Sequence, residues 1–516
     1  MKTLKLSGVC CVLALVVLAC CVNQPELTEK ESETEFKETE SIKEKERESK
    51  ETEESFDLLR EEIITKDIFI PSESTDTPSG KLAVRLQIPK KEHIRYPEGA
   101  PIVIIGEGGL TADGIINKKM PHLDDMIVIT FIYPGGENLE QNRHSDGVYD
   151  YRGKKSIEAL KDVILYAAGE IRDSKGKLID DLVDFNVLHN NIGFIGFSFG
   201  GNIGVAVAAL HKEVAPHLKY VIQWETPVSS QIATRDLGRM LFQPLEKGES
   251  GRSDYFNPRY MGYGPLIIDI DYSDIQYDPE SVYPVFLDGN KDGHYTVRMG
   301  SHYRYPTPDL NDNNILELNE DWGLDTYPYD TYDTNGKQVY SRPVTYALQK
   351  YNAFSGGWPD RIATVEEADA YWDIRESVQL YEKALKNIPG LEGMFLLSIN
   401  DHVQSDPYKS HAHQAFDGWT THGIWVKINC DPRYIFEVDP SLNDENIFIP
   451  NTRPNIAPLW EDLRSYCIPE EVKDEVYQIA AVHEMADRVK ERSRRHSDLF
   501  LVLPLFVVGF FQLRIS

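Results

Sequence analysis

The sequence predicts an α/β fold with a doubly wound, mostly parallel sheet and an inserted lid or subdomain. Two runs rich in β-branched residues, 102–105 and 126–132, are typical of central strands that are covered on both faces. A helix with an apolar stripe is predicted over 157–171, and two further apolar runs follow at 192–195 and 220–224. Strands that alternate with helices in this way favour a parallel sheet.

Residues 81–88 alternate apolar and polar side chains, which predicts a half-buried edge strand, and the folded part is expected to begin near Gly80. The regular rhythm fails over 231–385, a stretch rich in Tyr, Pro, Asp and Asn. We interpret this stretch as the insertion, so that the core consists of 80–230 and 386–465.

The pattern of the core resumes after the insertion. Strands are predicted at 393–399 and 424–428, with a helix between them at 408–420. A charged helix with one apolar face is predicted within 466–496, from Pro469 to Arg495. The tail, 497–516, is apolar, but its run from Leu499 to Phe511 is shorter than the ~20 residues that span a bilayer.

The first residues are typical of an export signal. Residues 1–19 combine a short basic start with an apolar stretch, and Cys20 follows Ala19 as in a lipoprotein cleavage site. Residues 20–57 are mostly Glu, Lys, Ser and Thr, which predicts a solvated tether. We therefore expect an extracytoplasmic protein that a lipid on Cys20 attaches to a membrane. A plain signal peptide and an uncleaved anchor are the alternatives.

The overall charge excludes one class of partner. The chain carries 54 Lys and Arg against 83 Asp and Glu, a net charge of −29, so nucleic-acid phosphates would be repelled. Beyond residue 21 only Cys430 and Cys467 remain. They are either a disulfide, if the protein is exported, or two unrelated buried thiols.

The central motif is Gly196-Phe-Ser-Phe-Gly-Gly201, which follows the apolar run at 192–195 and opens into a helix of small residues. A serine flanked by glycines two positions before and after, between a strand and a helix, is the form of a nucleophile elbow. The tight turn leaves almost no room for side chains around Ser198 and exposes its hydroxyl at a helix N-terminus.

With this elbow, the glycines after the strand at 102–105 and the Asn400-Asp401-His402 segment, the sequence resembles the α/β-hydrolase superfamily. The resemblance covers roughly residues 81–230 and 386–435. It implies that Ser198 is the nucleophile and that the backbone N–H of Phe199 forms an oxyanion hole with one from the Gly108-Gly109 turn. It also implies that Asp401 is the catalytic acid, with Asp406 or Glu225 as substitutes.

The expected histidine is missing after the last strand, where the sequence continues with Asn429-Cys430-Asp431. His402 is therefore the candidate base, and His144 also lies at the correct end of the sheet. We expect His483 to be a core or interface residue and His422 to lie at the wrong end. His411 and His413 are expected on a solvated helix face.

The insertion contains a calcium-loop pattern. Counted from Asp309, oxygen donors recur at positions 1, 3, 5, 9 and 12, as in an EF-hand loop, and a half-repeat begins at Asp288. The candidate ligands are Asp309, Asn311, Asn313, Ile315, Glu317 and Glu320, with Asp288, Asn290 and Asp292 in the half-repeat. The alternative is that these segments are ordinary Asp- and Asn-rich turns. If they bind calcium, we expect the ion to be structural.

Two hypotheses of function follow. The first is a serine hydrolase that cleaves a small-molecule or peptide ester or amide by acyl transfer. The second is a binding or surface protein that retains the fold but has lost the catalytic histidine. The intact elbow favours the enzyme, and the missing histidine favours the binding protein.

Overall fold

The computed structural model describes most of the chain beyond residue 62. The described residues are 63–109, 112, 123–231, 332–399, 401, 403, 409–443, 447–459 and 465–511, together with short elements between 239 and 323.

The described part is built on one eight-stranded sheet. Its strands are β1 (Ile64–Pro71), β2 (Lys81–Ile88), β3 (Ala100–Gly106), β4 (Ile127–Phe131), β5 (Val187–Phe197), β6 (Leu218–Trp224), β7 (Glu392–Leu396) and β8 (Val426–Ile428). They lie in the order β1-β2-β4-β3-β5-β6-β7-β8. The six strands from β4 to β8 are parallel, and β2 is antiparallel to both β1 and β4. The predicted mostly parallel sheet is confirmed.

Helices cover both faces of this sheet. The helices of the described part are α1 (Lys154–Ala167), α2 (Gly201–Leu210), α3 (Arg342–Lys350), α4 (Val365–Trp372), α5 (Tyr381–Asn387), α6 (Ser410–His422), α7 (Pro432–Val438) and α8 (Asp474–Phe511). One apolar cluster joins the sheet to α1, α2, α5 and α6, and a second joins the opposite face to α7 and α8. The sheet is therefore doubly wound.

The alternation of side chains along β3 shows why this strand reads as an unbroken apolar run. Ile102 and Ile104 belong to the first cluster, whereas Val103 and Ile105 belong to the second. Successive side chains of a strand point to opposite faces, so a strand with helices on both sides needs apolar residues at every position.

The prediction that the fold begins near Gly80 is wrong, because β1 starts at Ile64. The only apolar residues that β1 buries are Ile68 and Ile70. Next to the charged segment that precedes it, this pattern is too weak to predict a strand. The prediction that 81–88 is an edge strand is also wrong, since β2 pairs with β1 on one side and β4 on the other.

The final helix is longer than predicted. It begins at Asp474 rather than Pro469, and its backbone continues as helix through Phe511, past Pro504 and Gly509. Its face toward the sheet includes Val476 and Ile479, as the stripe predicts. In the described residues, no helix combines the length and the apolar character that crossing a membrane requires.

The inserted region leaves the sheet at the end of β6 and returns at the start of β7. Its described part contains α3, α4, two 3-10 turns (Tyr272–Asp274 and Ser377–Gln379) and α5. It also contains short antiparallel strand pairs: 239–240 with 322–323, 268–270 with 297–299, 275–277 with 285–287 and 294–295 with 316–317.

Cys430 and Cys467 are both buried free thiols, so the disulfide alternative is wrong. Burial raises the pKa of the Cys430 thiol well above its ordinary value. Both side chains therefore act as small apolar residues of the core, each in a different cluster.

Candidate active site

Ser198 stands at the turn from β5 into α2, in a strained backbone conformation. Its φ is +47°, in the left-handed region that residues with a side chain rarely adopt. The residue remains partly exposed, although Phe197 and Phe199 on either side of it are buried. This combination of strain and exposure is what a nucleophile elbow requires.

The glycines of the motif are needed because three backbone segments meet at the elbow. A Cβ atom on Gly196 would lie 2.6 Å from the backbone nitrogen of Gly201, and one on Gly200 would lie 2.8 Å from the carbonyl carbon of Glu107. No real Cβ atom approaches a backbone so closely. The sequence-based expectation that these positions exclude side chains agrees with this geometry.

The predicted oxyanion loop lies beside the elbow. A Cβ atom on Gly108 would lie 2.9 Å from the carbonyl oxygen of Phe197 and 3.2 Å from the Cβ of Ser198. Gly109 has a φ of +65°, so the chain turns there in a conformation that favours glycine. The loop after β3 thus passes directly over the serine, with Phe199 opening the helix on the other side.

The inserted region covers the elbow through Phe199. The Phe199 side chain belongs to a buried cluster with Trp372, Tyr371 and Val339, and its ring centroid lies 6.5 Å from that of Trp372 in an edge-to-face arrangement. The residue that follows Ser198 therefore anchors its side chain in the insertion.

Two carboxylates lie near the carboxyl edge of the sheet. Asp401 is 1% exposed, and its Oδ1 accepts a hydrogen bond of 2.8 Å from the backbone N–H of Val403. Glu225 leaves β6 directly beside Ser198, because Phe197 and Trp224 are register partners and the two residues come next. Glu225 also has a positive φ, +46°.

The Glu225 carboxylate is committed to a buried hydrogen-bond network. Ser398 Oγ donates to its Oε1 at 2.6 Å, and the Tyr477 hydroxyl donates to the same atom at 3.5 Å. Trp224 Nε1 in turn donates to the Tyr477 hydroxyl at 2.7 Å. These contacts join the ends of β6 and β7 to α8, and Asp401 remains a candidate acid beside Glu225.

His483 is excluded as the base by its position. Its Nε2 lies 3.2 Å from Oδ1 of Asp125, which precedes β4 and therefore lies at the amino edge of the sheet. Ser198 follows β5 at the opposite edge. The prediction that His483 is a core or interface residue is confirmed.

The other described histidines differ in exposure. His144 is 68% exposed in its side chain, and His422 is exposed at the end of α6, just before β8. The expected solvated position of His411 is wrong, since this residue is fully buried in the first turn of α6. His413 is only partly exposed, and its Nε2 lies 3.6 Å from Oδ2 of Asp417. α6 packs the segment that contains His411 against the sheet. The polar residues around His411 in the sequence do not indicate this burial.

Several predicted site residues lie outside the described residues. They are His402, Asp406, Cys20, and the calcium candidates Asp288, Asn290, Asp292, Asp309, Asn311, Asn313, Ile315 and Glu320. Of Glu317 the structure describes only its place in a short strand. Within the described part, no group of three or more His, Cys, Asp or Glu side chains could hold a metal ion.

The sequence gives no sign of one further residue at this site. Arg152 is 1% exposed, and its Nη2 donates to the carbonyl oxygens of Glu107 and Gly108, in the oxyanion loop. These contacts join residues 44 and 45 positions apart, so no local pattern could predict them.

No family model matches the sequence, and no curated protein does. Among solved structures, the chain is similar to an α/β hydrolase from Penicillium sp. sh18, at 16% identity over 34% of this chain and 50% of that one, with a TM-score of 0.22. A thermophilic carboxylesterase cloned from a metagenomic library is 19% identical over 35% of this chain and 54% of that one, with a TM-score of 0.21. A Pyrobaculum calidifontis esterase is 18% identical over 41% of this chain and 56% of that one, with a TM-score of 0.23.

The similarity extends over about half the length of each of these three proteins. The assignment of the doubly wound α/β fold therefore rests on the strand order, on the helices of both faces and on the strained serine between β5 and α2.

Proposed function

We propose that this protein is a serine hydrolase that cleaves an ester or amide by acyl transfer, with Ser198 as the nucleophile. The positive φ of Ser198 carries this proposal. Backbone strain of this kind persists only where the surrounding structure enforces it, and it concentrates at active sites. A serine without a catalytic role in this turn could adopt an unstrained backbone conformation, or could be replaced by glycine at no cost to the fold.

The chemistry follows the arrangement of the loops. Ser198 Oγ attacks the carbonyl carbon while its proton passes to a base, and a tetrahedral intermediate with a negatively charged oxygen forms. The N–H of Phe199 and one from the Gly108-Gly109 turn stabilise that oxygen. The intermediate collapses as the bond to the leaving alcohol or amine breaks, and that group takes the proton. Water then releases the acyl group by the same steps.

For the base we propose His402, oriented by Asp401. The burial of Asp401 at the end of β7 supports this assignment, because a carboxylate held there can fix an imidazole in one tautomer. His411, buried where α6 begins, is the second candidate. Replacing each in turn by Ala separates them, since loss of the true base lowers turnover by about 10²–10⁴-fold.

The rival function is a non-catalytic binding or surface protein on the same fold. The absence of a histidine directly after β8 favours it: Asn429 occupies that position, fully buried, and its side-chain amide forms hydrogen bonds with the backbone of Leu397 and Tyr466. This position is thus filled by a structural residue.

Labelling with a fluorophosphonate probe distinguishes the two functions. The probe phosphonylates an activated serine and releases fluoride, so we expect wild-type protein to be labelled and Ser198→Ala not to be. Ser174→Ala, which changes an exposed serine elsewhere, is the matched control and should be labelled fully. Folded wild-type protein that resists several such probes, and hydrolyses no ester, would favour the binding protein.

We also propose that the insertion holds structural calcium. Support comes from the two strands 294–295 and 316–317, which pair so that Tyr295 lies opposite Leu316. Each is the eighth residue of its twelve-residue loop, counted from Asp288 and Asp309. The antiparallel pairing brings the eighth positions of the two repeats opposite each other, with the seventh position of the first, His294, opposite the ninth of the second, Glu317, which ordinary turns need not do.

The melting temperature tests this second proposal. Calcium that binds only the folded state raises it, so a chelator should lower it by several degrees and added calcium should restore it. Glu320→Gln should remove most of this response, whereas Glu382→Gln, on exposed surface of α5, should keep it. Equal melting temperatures with and without chelator would contradict calcium binding.

Finally, we propose that the protein is extracytoplasmic and attached to a membrane through a lipid on Cys20. The support is the sequence alone: the apolar leader before Cys20 and the charged segment after it. Cys20→Ser should move the expressed protein from the membrane fraction to the soluble fraction, whereas Cys21→Ser should not. Equal fractionation of wild type and Cys20→Ser would contradict the anchor.

A further inference from the structure

Arg152 is a fully buried cation with an unusual set of partners. Its Nη2 donates to the carbonyl oxygens of Glu107 at 3.1 Å and Gly108 at 3.0 Å, and its guanidinium lies 3.6 Å from the ring centroid of Tyr133. In the described part of the chain, Nε and Nη1 have no hydrogen-bond partner. A buried charge is costly without such partners, so its place in the fold requires an explanation.

The two carbonyls that Arg152 binds determine where two N–H groups point. The peptide bond is planar and trans, so the N–H of a residue points opposite to the preceding carbonyl. The Glu107 carbonyl shares a peptide with the Gly108 N–H, and the Gly108 carbonyl shares one with the Gly109 N–H. By holding both carbonyls on one side, Arg152 turns both N–H groups to the other side.

Arg152 itself is held in a strained turn. Tyr151 and Arg152 have φ values of +53° and +62°, both in the left-handed region. Arg375 fixes this turn, since its Nε donates to the Tyr151 carbonyl at 2.8 Å and its Nη2 to the Asp150 carbonyl at 2.7 Å. Without these bonds the turn would be free to relax and withdraw Arg152 from the oxyanion loop.

Arg375 belongs to the inserted region. It follows α4, its Nη1 donates to the Tyr371 carbonyl at 2.8 Å, and its guanidinium lies 3.6 Å from the Tyr371 ring centroid. Tyr371 is in the same buried cluster as Phe199, the residue after Ser198. The insertion therefore reaches both sides of the elbow, directly through Phe199 and indirectly through the two arginines.

We propose that Arg152 is a positioning residue that orients the N–H groups of the oxyanion loop toward Ser198, and that Arg375 couples the inserted region to this loop. The proposal rests on the proposed role of Ser198 as a nucleophile. It deepens that role, because the insertion then controls how fast the serine reacts through the geometry of the oxyanion hole.

The test compares the rate of fluorophosphonate labelling with backbone hydrogen exchange in residues 105–109. Arg152→Lys keeps the charge but loses the planar fork, and Arg152→Gln keeps a donor but loses the charge. We expect both variants to be labelled at least tenfold more slowly, with faster exchange of the Gly108 and Gly109 amides. Arg375→Lys should show the same two effects, each smaller.

The control is Arg143→Lys. Arg143 also donates to a backbone carbonyl, that of Ile68 at 2.6 Å, and its guanidinium lies over the aromatic ring of Phe69. Its backbone contacts are with β1 and β2 rather than with the loop after β3. Its variant should be labelled at the wild-type rate, even if it melts earlier. For any hydrolysed ester, the Arg152 variants should lower kcat and leave KM nearly unchanged.

The outcomes separate this proposal from the proposed function. Labelling of the Arg152 variants within twofold of wild type, with unchanged exchange at 105–109, would overturn it. If the Arg152 variants do not fold, Arg375→Lys decides by the same two measurements. If wild-type protein is not labelled at all, the hydrolase proposal fails, and the exchange of the loop amides alone decides whether Arg152 orients them.

Discussion

Gly108 packs directly against Ser198, so that a Cβ atom on Gly108 would lie 3.2 Å from the Cβ of Ser198. A chain segment from the end of β3 thus forms one wall of the space around the serine hydroxyl. The contact joins residues that are 90 positions apart in the sequence. It allows a direct test of the oxyanion loop.

We expect Gly108→Ala to slow fluorophosphonate labelling by about tenfold or more, because the new methyl group would push the loop away from the elbow. Loss of one oxyanion donor costs about 10²–10³-fold in serine hydrolases. Gly356→Ala is the control, since a Cβ there meets nothing within 4 Å. Equal labelling of the two variants would show that the loop takes no part in the reaction.

Gly196→Ala should destabilise the whole fold. The added Cβ would lie 2.6 Å from the backbone nitrogen of Gly201, and β5 and α2 would have to separate in the centre of the molecule. We expect the free energy of unfolding to fall by about 2–3 kcal/mol, measured by urea denaturation. A change below about 0.5 kcal/mol would contradict this close packing.

Asp487 links α8 to the segment before β3 and should make stability depend on pH. It accepts from Arg95 at 2.8 and 2.9 Å and from the Tyr96 hydroxyl at 2.6 Å. Burial raises the pKa of Asp487, but hydrogen bonds from Arg95 and Tyr96 outweigh this effect and hold the pKa below its ordinary value. Its stabilising contribution is therefore present above the unfolded pKa of about 3.9 and is lost as the pH falls through the lower folded value.

Asp487→Asn should accordingly cost about 2–3 kcal/mol at pH 7. The difference from wild type should begin to shrink as the pH falls below about 4, where the carboxylate of the unfolded chain becomes protonated, and should continue to shrink through the lower pKa of the folded state. Urea denaturation at a series of pH values measures both effects. Glu471→Gln, an exposed carboxylate before α8, should show neither. A difference that does not change with pH would contradict the role of the charge.

The thiols of Cys430 and Cys467 should be inert in the native protein. Both are buried and neither is in a disulfide, and burial raises the pKa of the Cys430 thiol, which keeps it in the unreactive protonated form. Native protein treated with iodoacetamide should carry no label on either residue. Protein unfolded in guanidinium, without reductant, should be labelled on both. Labelling that requires a reductant would indicate a disulfide instead.

Local sequence patterns were sufficient for the parallel core and the elbow. The apolar runs of β3, β4 and β5 mark central strands because both faces of each strand are buried. The glycines of the elbow mark a turn in which backbones touch. β1 escaped prediction because only two of its apolar side chains reach the core, and the burial of His411 escaped because it depends on how α6 packs.

By itself, then, the sequence determined which segments form the parallel part of the sheet and where the serine stands, since periodicity and glycine spacing are local properties of the chain. The tertiary structure alone decided that β2 lies inside the sheet and that His483 faces Asp125 at the edge away from Ser198. It also placed Arg152 on the carbonyls of the oxyanion loop and Arg375 behind it. These contacts join distant parts of the chain, and they form only when the strands are already in order.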